Sequence, residues 1–233
     1  NNPVVSVAFM QDYFPYSFTV DNEPKGISNE ILAKIAEYTG LRFSIVPDFW
    51  GTNIEKFQNK KVQIIDSISY KKERETFAKF TKPYHEIPIV LFARKEFKTY
   101  EGLQSLQGKR VGVTQDVFFI DELKKIEPKI EVVEYKSVDQ RMQDLAYGKL
   151  DAVITSFVSG NRAINRYGLS NLHVLSHIRL PRALKEDLRY GIDADNALLY
   201  SIFNKAFEFV RNNDLHRINN NWLRQEESQQ FVT

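Results

Sequence analysis

The 233-residue chain has no cysteine. That excludes structural disulfides and thiolate-ligated metal sites, and it is compatible with the bacterial cell envelope. No apolar run approaches the roughly 20 residues of a membrane-spanning helix. Charge of one sign is also missing: the net charge is only +2, with Lys/Arg and Asp/Glu interspersed. Without a long basic run or an aromatic stacking platform, a nucleic-acid groove is not expected. His85, His173, His177 and His216 offer no zinc spacing. His173 and His177 are four apart, but LHVLSH reads as a strand, where that spacing does not bring two rings to one metal. Nucleophile-elbow, metal-ligand and phosphate-loop motifs are absent, so no catalytic residue, metal or cofactor is expected. No signal peptide is present; the opening NNPVV lies close to a strand and reads as a processed protein or an excised domain. Repeats at solenoid spacing and low-complexity segments are lacking too.

What is there is core material. Apolar residues make up 42% of the chain and charged residues 27%, enough for one large soluble domain or two small lobes. Val4 to Phe9 reads as a buried first strand. Residues 12–18, DYFPYSF, read as a loop with aromatics around Pro15, either a core plug or a pocket wall. Residues 26–40 read as a core helix. Ser28 is its expected N-cap, Ile31, Ile35 and Tyr38 form one face, and Gly40 is the stop. Strands follow at Leu41–Val46 and Val62–Ile65, with a short helix between that carries Trp50. Strand, helix, strand, helix, strand implies a parallel sheet with right-handed crossovers.

The second half repeats the alternation. Ile87–Ala93 is a strongly apolar strand, and a turn at Gly108 leads into another. Thr114 to Phe118 is expected to open a helix, and a helix start binds anions through its N–H groups. Ile130–Tyr135 reads as a strand. Ser137 and Gln140 form a capping box for a helix with Val138, Met142 and Leu145 on one face. Leu150–Ser156 is the next parallel strand, and 159–168 a helix. Leu172–Ser176 is a strand, and Leu188–Ile192 a return crossing. Asp195 is the expected cap of a long helix whose face is Leu198, Ile202, Ala206 and Phe209. A last short helix ends near Trp222, and LRQEESQQFVT beyond it reads as a linker.

The richest stretch is Asp66 to Tyr84, DSISYKKERETFAKFTKPY. It leaves an apolar strand, passes two hydroxyls one residue apart, Ser67 and Ser69, and enters a charged turn with Arg74. Ligands settle at strand ends of open α/β sheets. A guanidinium there fits a carboxylate with two parallel hydrogen bonds. By charge pattern alone, Arg74 between Glu73 and Glu75 reads rather as a solvated surface residue than as a clamp.

Ser67, Ser69, Arg74, Pro83 and Tyr84 fall on a pattern that resembles bacterial family 3 solute-binding proteins. The likeness extends over almost the whole chain and includes the ending SIFNKAFEFVRNNDLHRINNNWL. It implies an α/β two-lobe, type II periplasmic-binding-protein clamp, each lobe a mostly parallel sheet flanked by helices, with two hinge crossings. One lobe is expected at 1–93 plus 189–233 and the other at 94–188. The resemblance also implies that Arg74 clamps a ligand carboxylate. Ser69, Ser67 and Asp66 stand beside it, Phe14 and Tyr16 flank Pro15 as ring contacts, and Gln115, Phe118 and Ser156 contribute from the second lobe.

Two departures from the family pattern bear on the ligand. Asp116, Val117 and Phe118 replace a glycine and two hydroxyls, and Asp116 at a helix start would repel a carboxylate. Ser156 stands where amino-acid binders carry the aspartate that holds the ammonium. Either another acid takes over, Asp66 or Asp187, or the ligand lacks an amine. Similarity of the opening and of TKPYHEIPIVLFARKE to sensor-kinase and membrane-bound cyclase domains implies a periplasmic sensor domain that signals by closing on a small carboxylate-bearing solute. Its partner would be a membrane-anchored signalling module. The alternative is a free substrate-binding protein serving an ABC permease, and a cyclohexadienyl-dehydratase-like enzyme is the different-class alternative.

Overall fold

A computed structural model of the protein describes residues 4–97, 100–175, 181 and 186–230, with side chains described as far as Trp222. In chain order the strands are β1 (Val4–Met10), β2 (Asp12–Tyr13), β3 (Ser17–Val20), β4 (Glu23–Lys25), β5 (Arg42–Asp48), β6 (Ile64–Ile68), β7 (Ala78–Phe80), β8 (His85–Ile87), β9 (Ile89–Arg94), β10 (Arg110–Thr114), β11 (Glu131–Tyr135), β12 (Ala152–Ser156), β13 (Leu172–Val174) and β14 (Glu186–Asp193). The helices are α1 (Ile27–Thr39), α2 (Trp50–Gln58), α3 (Ile120–Ile126), α4 (Val138–Ala146), α5 (Phe157–Tyr167), α6 (Ala197–Asn213) and α7 (Leu215–Gln230). His177 lies outside the described residues. The chain divides into two units, Asn1–His85 with Asp187–Thr233, and Glu86–Glu186.

The first unit holds a sheet in the order β5-β1-β6-β14-β7. β1 runs parallel to β5 and β6, while β14 runs antiparallel to β6 and β7. The near-continuous burial of VVSVAFM marks β1 as a central strand covered on both faces. α1 buries Ile27, Ile31, Leu32 and Ile35, and Gly40 ends it at φ 71°, a left-handed position that suits glycine. Two expectations for α1 fail. The N-cap is Gly26, and Ser28 lies inside the helix with its hydroxyl 2.9 Å from the Tyr190 hydroxyl. Tyr38 turns outward and donates to Asp214. Residues 12–18 are not a free loop: β2, β3 and β4 form a small antiparallel sheet, and Tyr16 is buried.

α6 corrects the sequence reading as well. Its cap is Asn196, which accepts from Leu199 N at 3.0 Å, while Asp195 pairs with Lys60. The buried face is Leu199, Phe203, Ala206, Phe207 and Val210; Leu198 and Phe209 are 72% and 51% exposed. Two overlapping apolar stripes run along this helix. The one with two phenylalanines wins because both rings pack edge-on against Tyr190. α7 carries the helix through Gln230, where a linker was expected after Trp222.

The second unit's sheet runs β11-β10-β12-β9-β13, with β10 parallel to β11 and β12, and β9 antiparallel to β12 and β13. β9 therefore pairs within this unit, which runs Glu86–Glu186, whereas the expected boundary at 93/94 assigns the strand to the first lobe. Its side chains alternate between two cores. Leu91, Ala93 and Ile154 join Val111, Val113 and Leu123 on one face; Phe92 and Val153 join Met142, Leu145 and Ala163 on the other. That period of two is what a sheet covered on both faces requires. The expected helix at 114–118 begins later, at Ile120, after a turn in which Asp116 has φ 54°.

One topological feature is common to both units. β1 lies between β5 and β6, and β10 lies between β11 and β12. In each case the chain moves to one side of the first strand and then to the other. Ligand crevices in open α/β sheets form at such reversals, beyond the carboxyl ends of the two strands.

Candidate functional site

In the first unit the reversal lies between the ends of β1 and β6, where the sequence DSIS sits. β6 runs on through Ile68, so Asp66 and Ser67 belong to the strand itself. Asp66 is fully buried. Its Oδ1 accepts from Met10 N at 3.0 Å, tying β6 to β1. The hydroxyls of Ser28, Ser17 and Ser67 lie near enough to favour its ionised form, yet burial outweighs them and pushes the carboxyl up to about 6. Oδ2 makes no hydrogen bond of normal geometry among the described residues. Ser67 adopts φ 55°, uncommon for a residue with a side chain. Its N–H donates to the Tyr84 hydroxyl at 3.2 Å, and its Oγ lies 3.0 Å from Ser17 Oγ. Tyr84 stacks obliquely 5.1 Å from Tyr190, and burial, then the nearby Asp66 carboxyl, raises its phenol far above the ordinary value.

Arg74 follows on a short 3-10 turn, Lys72–Thr76. It is 8% exposed, so the solvated surface arginine is excluded. Nη1 donates to Ser69 O at 2.9 Å, and the guanidinium lies 5.4 Å from the Trp50 ring centre. A carbonyl and an indole face thus hold the fork, an arrangement worth about 0.5–2 kcal/mol for the ring contact. Ser69 Oγ donates to Asp187 O at 2.9 Å, so its proton is committed and its lone pairs are what it offers. Asp187 itself is bound to Arg189 at 2.6 Å and accepts from Tyr70 N.

The candidate residues thus separate. Arg74 and Ser69 are in direct contact, and Ser67 and Asp66 precede them on β6. Asp66 is directed into the interior network, which weighs against direct contact with a ligand ammonium. Tyr16 is buried, with its ring 4.8 Å from His85 and 5.3 Å from Tyr13. Phe14 packs instead against Phe18 and Trp222, whose Nε1 donates to Glu30. In the second unit Gln115 follows Thr114, the last residue of β10, and Ser156 is the last residue of β12. Ser156 Oγ accepts from Ser159 N at 3.1 Å and so caps α5. Phe118 packs edge-on to Phe119 and against the core. Asp116 does not cap a helix; its N–H donates to Glu134.

Sequence reasoning missed Arg141. It is fully buried in the first turns of α4. Nη1 donates to Thr114 Oγ1 at 2.8 Å and Nη2 to Thr155 Oγ1 at 2.9 Å. A signal was available: Arg141 stands three residues after Val138 and four before Leu145, on the helix's apolar stripe. No group of His, Asp and Glu suited to a metal ion occurs among the described residues, nor any helix long and apolar enough to cross a membrane.

Known proteins share this architecture. The profile of the bacterial extracellular solute-binding proteins, family 3, matches residues 5–225. The chain belongs to that family, and its fold is the two-lobe periplasmic-binding-protein-like α/β fold. The virulence sensor protein BvgS of Bordetella pertussis is 27% identical over 224 residues, 95% of this chain and 18% of BvgS. The crystal structure of the BvgS periplasmic VFT2 domain superposes with a TM-score of 0.77 at 26% identity, covering 95% of this chain and 94% of that one. The L-cystine-binding protein TcyJ of Escherichia coli is 26% identical over 145 residues, 61% of this chain and 54% of TcyJ. The chain thus spans under a fifth of the BvgS relative it matches from end to end.

Proposed function

We propose that this chain is the periplasmic, Venus-flytrap sensor domain of a membrane-anchored signalling protein, and that it binds a small carboxylate-bearing solute and signals by closing. The likeness to BvgS across 95% of the chain carries this reading. Arg74 is the proposed clamp. Its guanidinium is buried, oriented by Ser69 O and seated on Trp50, so little ordering remains to be done when a planar carboxylate arrives. Ser69 and Ser67 shape the neighbourhood, Tyr16 supplies a ring wall, and Gln115, Phe118 and Ser156 serve from the second unit. With Asp66 drawn inside and Asp187 bound to Arg189, no acid among these residues replaces the aspartate that holds the ammonium in amino-acid binders, which favours a ligand without an amine. Driving closure from 1:99 to 99:1 takes about 5.5 kcal/mol of differential affinity. That is the order of a charged clamp plus several hydrogen bonds.

A second reading, a substrate-binding protein delivering to an ABC permease, draws on the similarity to TcyJ. A thermal-shift screen of amino acids, dicarboxylates and amines tests the site: carboxylates should raise the melting temperature, and Arg74→Ala should abolish the rise. An undiminished rise removes the clamp assignment. Closure is tested on the cysteine-free background by spin labels at exposed Tyr147 and Leu198, one in each unit. Ligand should change the distance between them; an unchanged distance rejects signalling by closure.

A further inference from the structure

The second unit spends its reversal point on a guanidinium. Arg141 has no exposed surface, although arginine is almost never fully buried unless its charge is paired or hydrogen-bonded. It lies in the first turns of α4, where the positive pole of the helix disfavours a cation. The fold makes room for it. Gly112, in the middle of β10, faces the arginine stem: a Cβ there would come within 2.9 Å of Arg141 Cγ and 2.6 Å of Leu150 Cδ1. A glycine inside a central strand marks such a close approach. The stem crosses β10 at Gly112 and delivers the guanidinium to the carboxyl ends of β10 and β12.

What it meets there is informative. Thr114 is the last residue of β10, and Thr155 the penultimate residue of β12. Each hydroxyl oxygen accepts one guanidinium N–H, at 2.8 and 2.9 Å. A hydroxyl that accepts from a cation has its own proton left to give, and the charge makes that proton a stronger donor. Neither proton has an acceptor among the described residues. Two polarised O–H donors on adjacent strands, backed by one buried positive charge, form a receptor for an oxyanion. The expected helix start at 114–118 is displaced to Ile120, and the N–H groups of Gln115, Asp116 and Val117 are committed to Tyr135 O, the Glu134 carboxylate and Thr114 O.

We infer that the second unit carries an anion-receiving site of its own, in which Arg141 presents the hydroxyl protons of Thr114 and Thr155 to one oxyanion group, a carboxylate or a sulfate-type group, of the ligand. The inference rests on the reading of the chain as a binder of small acidic solutes. It fits the loss of the ammonium-holding aspartate at Ser156, the residue next to Thr155. A ligand for this chain would then offer negative charge where amino-acid binders expect positive charge.

The test uses the whole chain, with succinate and inorganic sulfate as probes and isothermal titration as the readout. At least one probe should bind the wild type. The pair Thr114→Val with Thr155→Val keeps the shape and removes both protons, and should weaken binding about tenfold for each hydroxyl lost. Thr114→Ser with Thr155→Ser keeps the hydroxyls and should stay within about threefold of wild type. Binding of succinate alone identifies a carboxylate site, and binding of sulfate identifies a broader oxyanion site; both support the inference. Failure of both probes to bind the wild type overturns it. If Arg74→Ala abolishes binding while the valine pair binds like wild type, the inference falls and the Arg74 clamp stands. If the valine pair loses binding and Arg74→Ala does not, the clamp falls and the inference stands. Should the valine pair fail to fold, the Arg141 guanidinium resonances of the wild type decide. They should move as the probe is titrated, and resonances that stay put overturn the proposal.

Discussion

The two units use one topology and fill it with opposite chemistry. In the first, the crevice between β1 and β6 receives a buried carboxyl, Asp66, inside a ring of hydroxyls from Ser17, Ser28, Ser67, Tyr84 and Tyr190. In the second, the crevice between β10 and β12 receives a buried guanidinium, Arg141, on two threonine hydroxyls. The sheets supply the same strand order but do not dictate what the strand ends carry. The physical cost is similar in kind, since an ion in the interior must be neutralised or hydrogen-bonded. Asp66 meets it by holding its proton more tightly. Arg141 has no such outlet, because a guanidinium stays charged, and it must rely on acceptors. This difference lets the Asp66 network become neutral on the acid side of neutrality, whereas the Arg141 centre stays positive.

The largest expected effect breaks the first unit's side of the comparison. Arg74→Ala should weaken binding of a carboxylate ligand by about 100-fold or more, as loss of a bidentate charged contact implies. Titration calorimetry against the hits of the screen reads it. Asp66→Asn comes next and is seen in stability. Between about pH 4 and 6 the folded chain retains a proton on Asp66 that the unfolded chain has released. Wild-type stability should therefore fall as pH rises through that window, by about 3 kcal/mol from this one group. The Asn variant should lack this slope and be the more stable at pH 7. Urea unfolding at pH 4, 5, 6 and 7 measures both curves, and parallel curves would contradict the burial of an ionisable carboxyl.

Gly112→Ala sharpens the second unit's side. The added methyl meets Leu150 and the Arg141 stem at sub-contact distance, so about 1–3 kcal/mol should be lost. Because the stem must shift, anion affinity should fall with stability, whereas an Ala substitution remote from Arg141 would lower stability alone. The smallest effect is Tyr84→Phe. Ser67 N–H loses its acceptor at a left-handed position, which should cost about 1–2 kcal/mol without touching the second unit's anion affinity.

The Arg74 segment was legible because it concentrates its signals: an apolar strand, two alternating hydroxyls and an arginine at the family spacing. Ser28, Asp195 and Leu198 were misread for a common reason. Each sits one or two residues from a position of equal local merit, Gly26, Asn196 and Leu199 respectively, and local propensity does not choose between neighbours. Asp66 read as a ligand contact because an acid at a strand end commonly is one. Burial by Tyr84 and Tyr190, distant in sequence, sends it inward.

By itself the sequence determined that this is a cysteine-free α/β chain of the family 3 type, with strands set by apolar runs and helices by caps and stripes. Periodicity and spacing are local properties, and they survive being read in one dimension. Which stripe of α6 faces the core, which unit owns β9, and that Arg141 reaches Thr114 and Thr155 were decided only by tertiary structure. These depend on residues 13 to 67 positions apart meeting at a packed surface, where volume and the need to solvate a buried charge select one arrangement among several that the local code permits equally.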